Sequence, residues 1–229
     1  MLRRVLLTAL MAGVLAGLFA VVVQSLRVTP LILEAERYEN PAAAAGGDQA
    51  AAWAPRDGTE RVAYTVLADV LTGVGFAMLL VAGFALRGGP VDLRAGILWG
   101  LGGFAAFTFA PAFGLPPDPP GMAAADLVAR QGWWLATAAA TAGGLALMVF
   151  AGAGVVKALG VAAIVAPHLI GAPHPGAAVA TALPAAVAAE FVAASLVASA
   201  LFWIVLGGLS GWLYGRFDAP RSTEAAISP

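Results

Sequence analysis

Apolar residues in this chain come in unbroken stretches rather than in alternation or on one helical face. Six stretches occupy residues 5–26, 62–86, 95–113, 133–152, 155–170 and 185–217. A run of about 20 apolar residues is the length of helix that crosses a hydrocarbon core of about 30 Å. Helices that are apolar all round belong inside lipid or deep in a core. The pattern therefore predicts an all-α, polytopic membrane helical bundle of about six transmembrane helices. The spans form a single transmembrane domain over 1–217, with an outer loop at 27–61 and a flexible C-terminal tail at 218–229. The fifth stretch is the short one: at 1.5 Å per residue it covers about 24 Å, and Pro167 lies near its end.

Composition strengthens this reading. Only 11% of the residues are charged and 61% are hydrophobic, whereas a soluble domain carries about 25% charge. The first stretch follows Arg3 and Arg4 like a signal peptide, but 5–26 exceeds the apolar region of about 7–15 residues that such peptides have. It reads as a retained first helix. The absence of cysteine excludes disulfides and thiolate ligands. A net charge of −1 with no long basic run argues against a nucleic-acid partner. No phosphate-binding loop or zinc-protease motif occurs, and no serine lies in a nucleophile setting, so an enzyme is not expected.

Charge sets the orientation. With six spans and a cytoplasmic N-terminus, Arg3, Arg4, Arg87, Arg94, Lys157, Arg216 and Arg221 fall on the inner side. The outer side receives most of the carboxylates, as the positive-inside rule requires. Both termini are then cytoplasmic. Trp133 and Trp134 are expected at the outer interface and Trp212 at the inner one, while Trp203 falls mid-span, between helices. GxxxG stripes at Gly13/Gly17, Gly96/Gly100 and Gly207/Gly211/Gly215 permit close helix approach, inside one bundle or between copies in a homo-oligomer. Packing inside the bundle is the preferred reading.

Candidate chemistry gathers at the outer side. The three outward-running helices finish in "TPLILEAE", "APAFGLPPD" and "APHLIGAPH", each placing a proline before a polar group: Glu34, Asp118 and His174. That similarity suggests three helical hairpins of related design around one mouth. Asp69 and Glu190 are carboxylates within spans, and such groups usually face a cavity, a partner or a pathway. The two histidines, His168 and His174, are too far apart for one helical face, but the prolines around them allow a turn that brings both rings to one ion. Imidazole with carboxylate suits borderline divalent ions such as cobalt, nickel or zinc.

Taken together, "RRVLLTALMAGVLAGL", "PLILEAERYE", "TVLADVLTGVGFAMLL", "GLPPDPPGM", "RQGWW", "PHLIGAPHP" and "FVAASLVASALFWIVLGGLSGWLYGRF" resemble the CbtA family of predicted cobalt transporter subunits. The resemblance lapses at about 40–56 and after Phe217. It implies a multi-pass protein of the bacterial inner membrane that imports Co2+ for cobalamin synthesis. It also implies a histidine-bearing, single-span partner, CbtB. The positions it carries over are Glu34, Glu36, Glu39, Asp69, Asp118, His168 and His174, with Asp118 standing where the resemblance leads one to expect glutamate. The expected function is thus an integral membrane subunit of a divalent transition-metal uptake system. It would bind its ion at an outer-face His/carboxylate mouth, to which Glu190 also belongs, and hold no permanent cofactor. The competing reading is a non-transporting assembly or scaffold subunit of a larger complex.

Overall fold

A computed structural model describes residues 1–38, 55–175 and 182–217. The described residues form six helices: α1 Leu2–Glu36, α2 Thr59–Arg87, α3 Leu93–Ala112, α4 Leu127–Phe150, α5 Gly154–Ile170 and α6 Ala185–Arg216. All but α5 are long and apolar enough to cross a membrane. The exposed surface carries large apolar side chains on every helix, such as Leu15, Leu79, Leu98, Leu135, Leu169 and Val197. That is the surface of a body solvated by lipid, and the chain is a multi-pass membrane protein.

The helix ends depart from the apolar runs for local reasons. α1 continues through Pro30 to Glu36, where the apolar pattern stops at 26. A proline removes one helical donor, and burial of Val28 and Ala35 among neighbouring residues offsets that loss. Glu34 and Glu36 thus sit on a helix rather than in the predicted loop. α4 begins at Leu127, where the Asp126 carboxylate caps the backbone N–H of Ala129 at 2.9 Å. Trp133 therefore lies more than a turn inside the helix, and its indole N–H donates to the carbonyl of Pro167 at 3.3 Å. In α3, Pro111 lacks the N–H that would bond the carbonyl of Phe107, and its ring crowds that carbonyl. The helix widens into a π turn over Ala105–Phe109 just before it.

Glycine decides which helices meet. A Cβ on Gly13 would lie 2.4 Å from the Cα of Val74, and one on Gly17 would lie 2.6 Å from the carbonyl oxygen of Asp69, so α1 and α2 touch backbone to backbone. Gly96 and Gly100 of α3 meet Gly207 and Gly211 of α6 in the same way, and Gly144 of α4 meets Gly160 of α5. The glycine stripes are thus used inside the chain, which removes them as faces for a second copy. α6 also packs along α1, with the Arg4 guanidinium over the Tyr214 ring at 3.5 Å. Around these contacts lies a core of Ala12, Ala16, Val81, Phe84, Trp203 and Leu206, with Trp203 at 2% exposure as expected between helices.

The pairing differs from three successive hairpins. α1 packs on α2 and α6, α3 packs on α6, and α4 packs on α5. Among the described residues α5 and α6 make no contact, and α4 joins the other four helices mainly through the π turn of α3. The contacts alternate helix direction along the chain, which gathers Arg3, Arg4, Arg87, Arg94, Lys157 and Arg216 at one end. The opposite end carries Glu34, Glu36, Arg61, Asp118 and Arg130.

Candidate functional site

Among the described residues two cavities open in the half of the bundle away from the basic end, on either side of the π turn. The larger, of about 630 Å³, lies between α3 and the α4–α5 pair. Its walls include Phe109, Phe113 and Trp133, and both histidines line it: His168 from the last turn of α5 and His174 from the segment beyond. The His168 ring stands edge-on to Trp133 at 5.8 Å and to Phe113 at 6.1 Å between centroids. Gly171, with φ of +88°, ends α5 in a conformation that L side chains rarely adopt and turns the chain so that His174 returns to the same cavity. Thr141 of α4 also lines it; its hydroxyl is buried and has no hydrogen-bond partner among the described residues.

The smaller cavity, of about 270 Å³, lies where α1, α2, α3 and α6 converge. Its polar lining is Gln24, Asp69, Thr72, Thr108, Ser195 and Ser199. The Gln24 amide donates to both oxygens of Asp69, at 3.2 and 3.1 Å. Trp203 donates its indole N–H to the Thr108 hydroxyl at 3.2 Å. The π turn divides the cavities: Thr108 lines the smaller, while Ala105 and Phe109 line the larger.

A family model described as "Probable cobalt transporter subunit (CbtA)" matches residues 2–215 of the 229. The chain belongs to the CbtA family. Comparison with curated proteins and with solved structures gives no match. Membership makes this CbtA-family chain a membrane transport subunit, a class distinct from enzymes, with Co2+ as the substrate it suggests.

Against that family the fate of each expected ligand can be stated. His168 and His174 come together, but no carboxylate joins them, and no group of three or more His, Asp or Glu side chains is placed to hold a metal among the described residues. The expected mouth of histidines with carboxylates is therefore not assembled there. Glu36 is held by the Arg61 guanidinium, which grips both of its oxygens. Asp118 faces Arg130 at 3.7 Å. Burial pushes its carboxyl above the ordinary value of 3.8, and the Arg130 charge offsets part of that rise. Glu34 stands on the last turn of α1, and Glu190 is exposed on the first turns of α6. Glu39 lies outside the described residues, as does the 218–229 tail. Asp69 faces the smaller cavity, away from both imidazoles. The smaller cavity as a unit was missed from sequence. Its signal was present as Gln24, Ser195 and Ser199, polar residues inside apolar runs.

Proposed function

We propose that this chain is the membrane-embedded subunit of a divalent transition-metal uptake system of the bacterial inner membrane, with cobalt as its ion and its basic end in the cytoplasm. The ion is received at the larger cavity by His168 and His174. The observation that carries this reading is the convergence of the two histidines on one aromatic-walled cavity, beside a Thr141 hydroxyl that lacks a partner among the described residues. Neutral imidazole is a good ligand for Co2+, and two imidazoles with retained water hold such an ion without trapping it. A cargo site must bind well enough to fill and weakly enough to empty.

Glu34 and Glu190 act at a distance in this proposal, whereas Glu36 and Asp118 are largely neutralised by Arg61 and Arg130. The first two attract cations to the outer end, an effect that weakens as salt is added. The histidine-bearing, single-span partner CbtB would complete the coordination from the open side of the cavity. A divalent ion moving inward gains about 4.6 kcal/mol per 100 mV, twice the single-charge value.

The test is uptake of radioactive cobalt by cells lacking their own importers, with this chain expressed alone and with its partner. Replacing His168 or His174 by Ala is expected to reduce uptake at limiting cobalt by about tenfold or more, the worth of one lost ligand contact of about 1.4 kcal/mol. Unchanged uptake in both variants would remove the histidines from the path. No uptake in either condition, with insertion confirmed, would favour the scaffold reading.

A further inference from the structure

The smaller cavity has a different chemistry from the larger, and its contents do not balance. Asp69 is the one charged side chain in its described lining, about 15 Å down α2 from Thr59. Gln24 approaches from α1 at a similar depth, about 18 Å from Glu36. A carboxylate at this depth is costly to hold ionised, and a neutral amide donor does not cancel its charge. Among the described residues no cationic side chain lines the cavity. Around Asp69 stand four hydroxyls from three helices: Thr72 of α2, Thr108 of α3, and Ser195 with Ser199 one turn apart on α6.

We propose that this cavity binds one alkali cation through oxygen ligands alone. One carboxylate neutralises one monovalent charge; a divalent ion would leave the cavity at +1 in a medium of low dielectric, where unbalanced charge is expensive. The groups in the described lining that can ligate a cation are carboxylate, hydroxyl and amide oxygens, the hard set that alkali cations accept; the Trp203 indole N–H is spent on Thr108, and no imidazole is present to favour a transition metal. A half-turn of the Gln24 amide exchanges its N–H donors for an oxygen, so the same side chain serves the empty cavity by donating to Asp69 and the filled one by accepting the ion. As a binding site this stands on its own. Its role, supplying the gradient that drives metal uptake, rests on the transport reading above. The shared wall gives that role a physical route: α3 contributes Thr108 to the cation and Phe109 to the histidine cavity.

The test uses the full chain purified in detergent. Its thermal midpoint is followed in choline chloride with choline progressively replaced by Na+ or by K+ at constant ionic strength. A saturable rise with one alkali ion, lost in Asp69→Asn and moved to about tenfold higher concentration in Ser199→Ala, is the expected result. The two ions identify which cation is taken. Identical midpoints in Na+, K+ and choline would overturn the proposal, and so would a rise that persists in Asp69→Asn. A midpoint that follows pH but neither ion would make Asp69 a proton site instead. A response to Co2+ alone that disappears in Asp69→Asn would overturn the monovalent assignment. Should Asp69→Asn not fold, radioactive sodium and potassium binding to the wild type and to Ser199→Ala decides the matter. Cobalt uptake assayed in parallel separates the two ideas, because alkali binding without uptake sinks the proposed function and leaves this site intact.

Discussion

Single residues in this bundle are tolerated or forbidden according to what a new atom would touch. A Cβ on Gly207 would meet the carbonyl oxygen of Gly96 at 2.3 Å and the Cα of Gly100 at 2.7 Å, both backbone atoms that cannot turn aside. One on Gly143 would meet nothing within 4 Å. Gly207→Ala is therefore expected to cost about 1–3 kcal/mol, the range for overpacking, whereas Gly143→Ala should leave the thermal midpoint unchanged or raise it. Comparing the two in the same detergent checks this directly. Asp118 supplies a titration test at the same scale. Burial raises its folded-state carboxyl, so the protonated form is favoured in the folded chain. The resulting stability is present below the unfolded value and lost as pH rises through the folded one. The midpoint of wild type relative to Asp118→Asn should accordingly fall as pH climbs through the carboxylate range. A difference that grows instead would mean that Arg130 dominates.

Whole elements were legible where apolar length was the only signal needed. Of the six described helices, α2, α3, α5 and α6 begin and end within a few residues of their apolar runs, because lipid rewards uninterrupted apolar surface directly. The exceptions obey local chemistry. α1 outruns its apolar stretch, since a helix can continue on backbone hydrogen bonds where its side chains turn polar. The π turn was not read from sequence, although Pro111 announces some disturbance; which kind depends on how α4 and α6 press on α3. That turn has a testable part to play. Pro111→Ala restores the missing N–H and removes the crowding, so α3 can tighten to α geometry and rotate Thr108 and Phe109 relative to their cavities. The expected outcome is a chain that keeps its thermal midpoint but loses both cobalt uptake and the response to alkali ions. Retention of both would show that the π turn is a packing accommodation alone.

For the molecule as a whole, charge and apolar length carried the fold class, the number of helices and the gathering of basic residues at one end. They did not reveal which helices are neighbours. Neighbours are chosen by matched glycines across helices distant in sequence, such as Gly100 with Trp203 and Gly207, and pairing of that kind is a three-dimensional property. For the same reason the histidines were found by their rarity, whereas the cavity of Gln24, Asp69 and the hydroxyls, drawn from four separated segments, was not. The odd pairing has a mechanical consequence. Among the described residues α5, which carries His168, packs chiefly on α4 and meets the end of α3 through the His168–Phe113 ring contact. Four interlocked helices hold Asp69, but the histidine stands on an arm with one main joint. The wall that α5 gives the histidine cavity is thus less firmly tied to the bundle than the wall that α3 gives it.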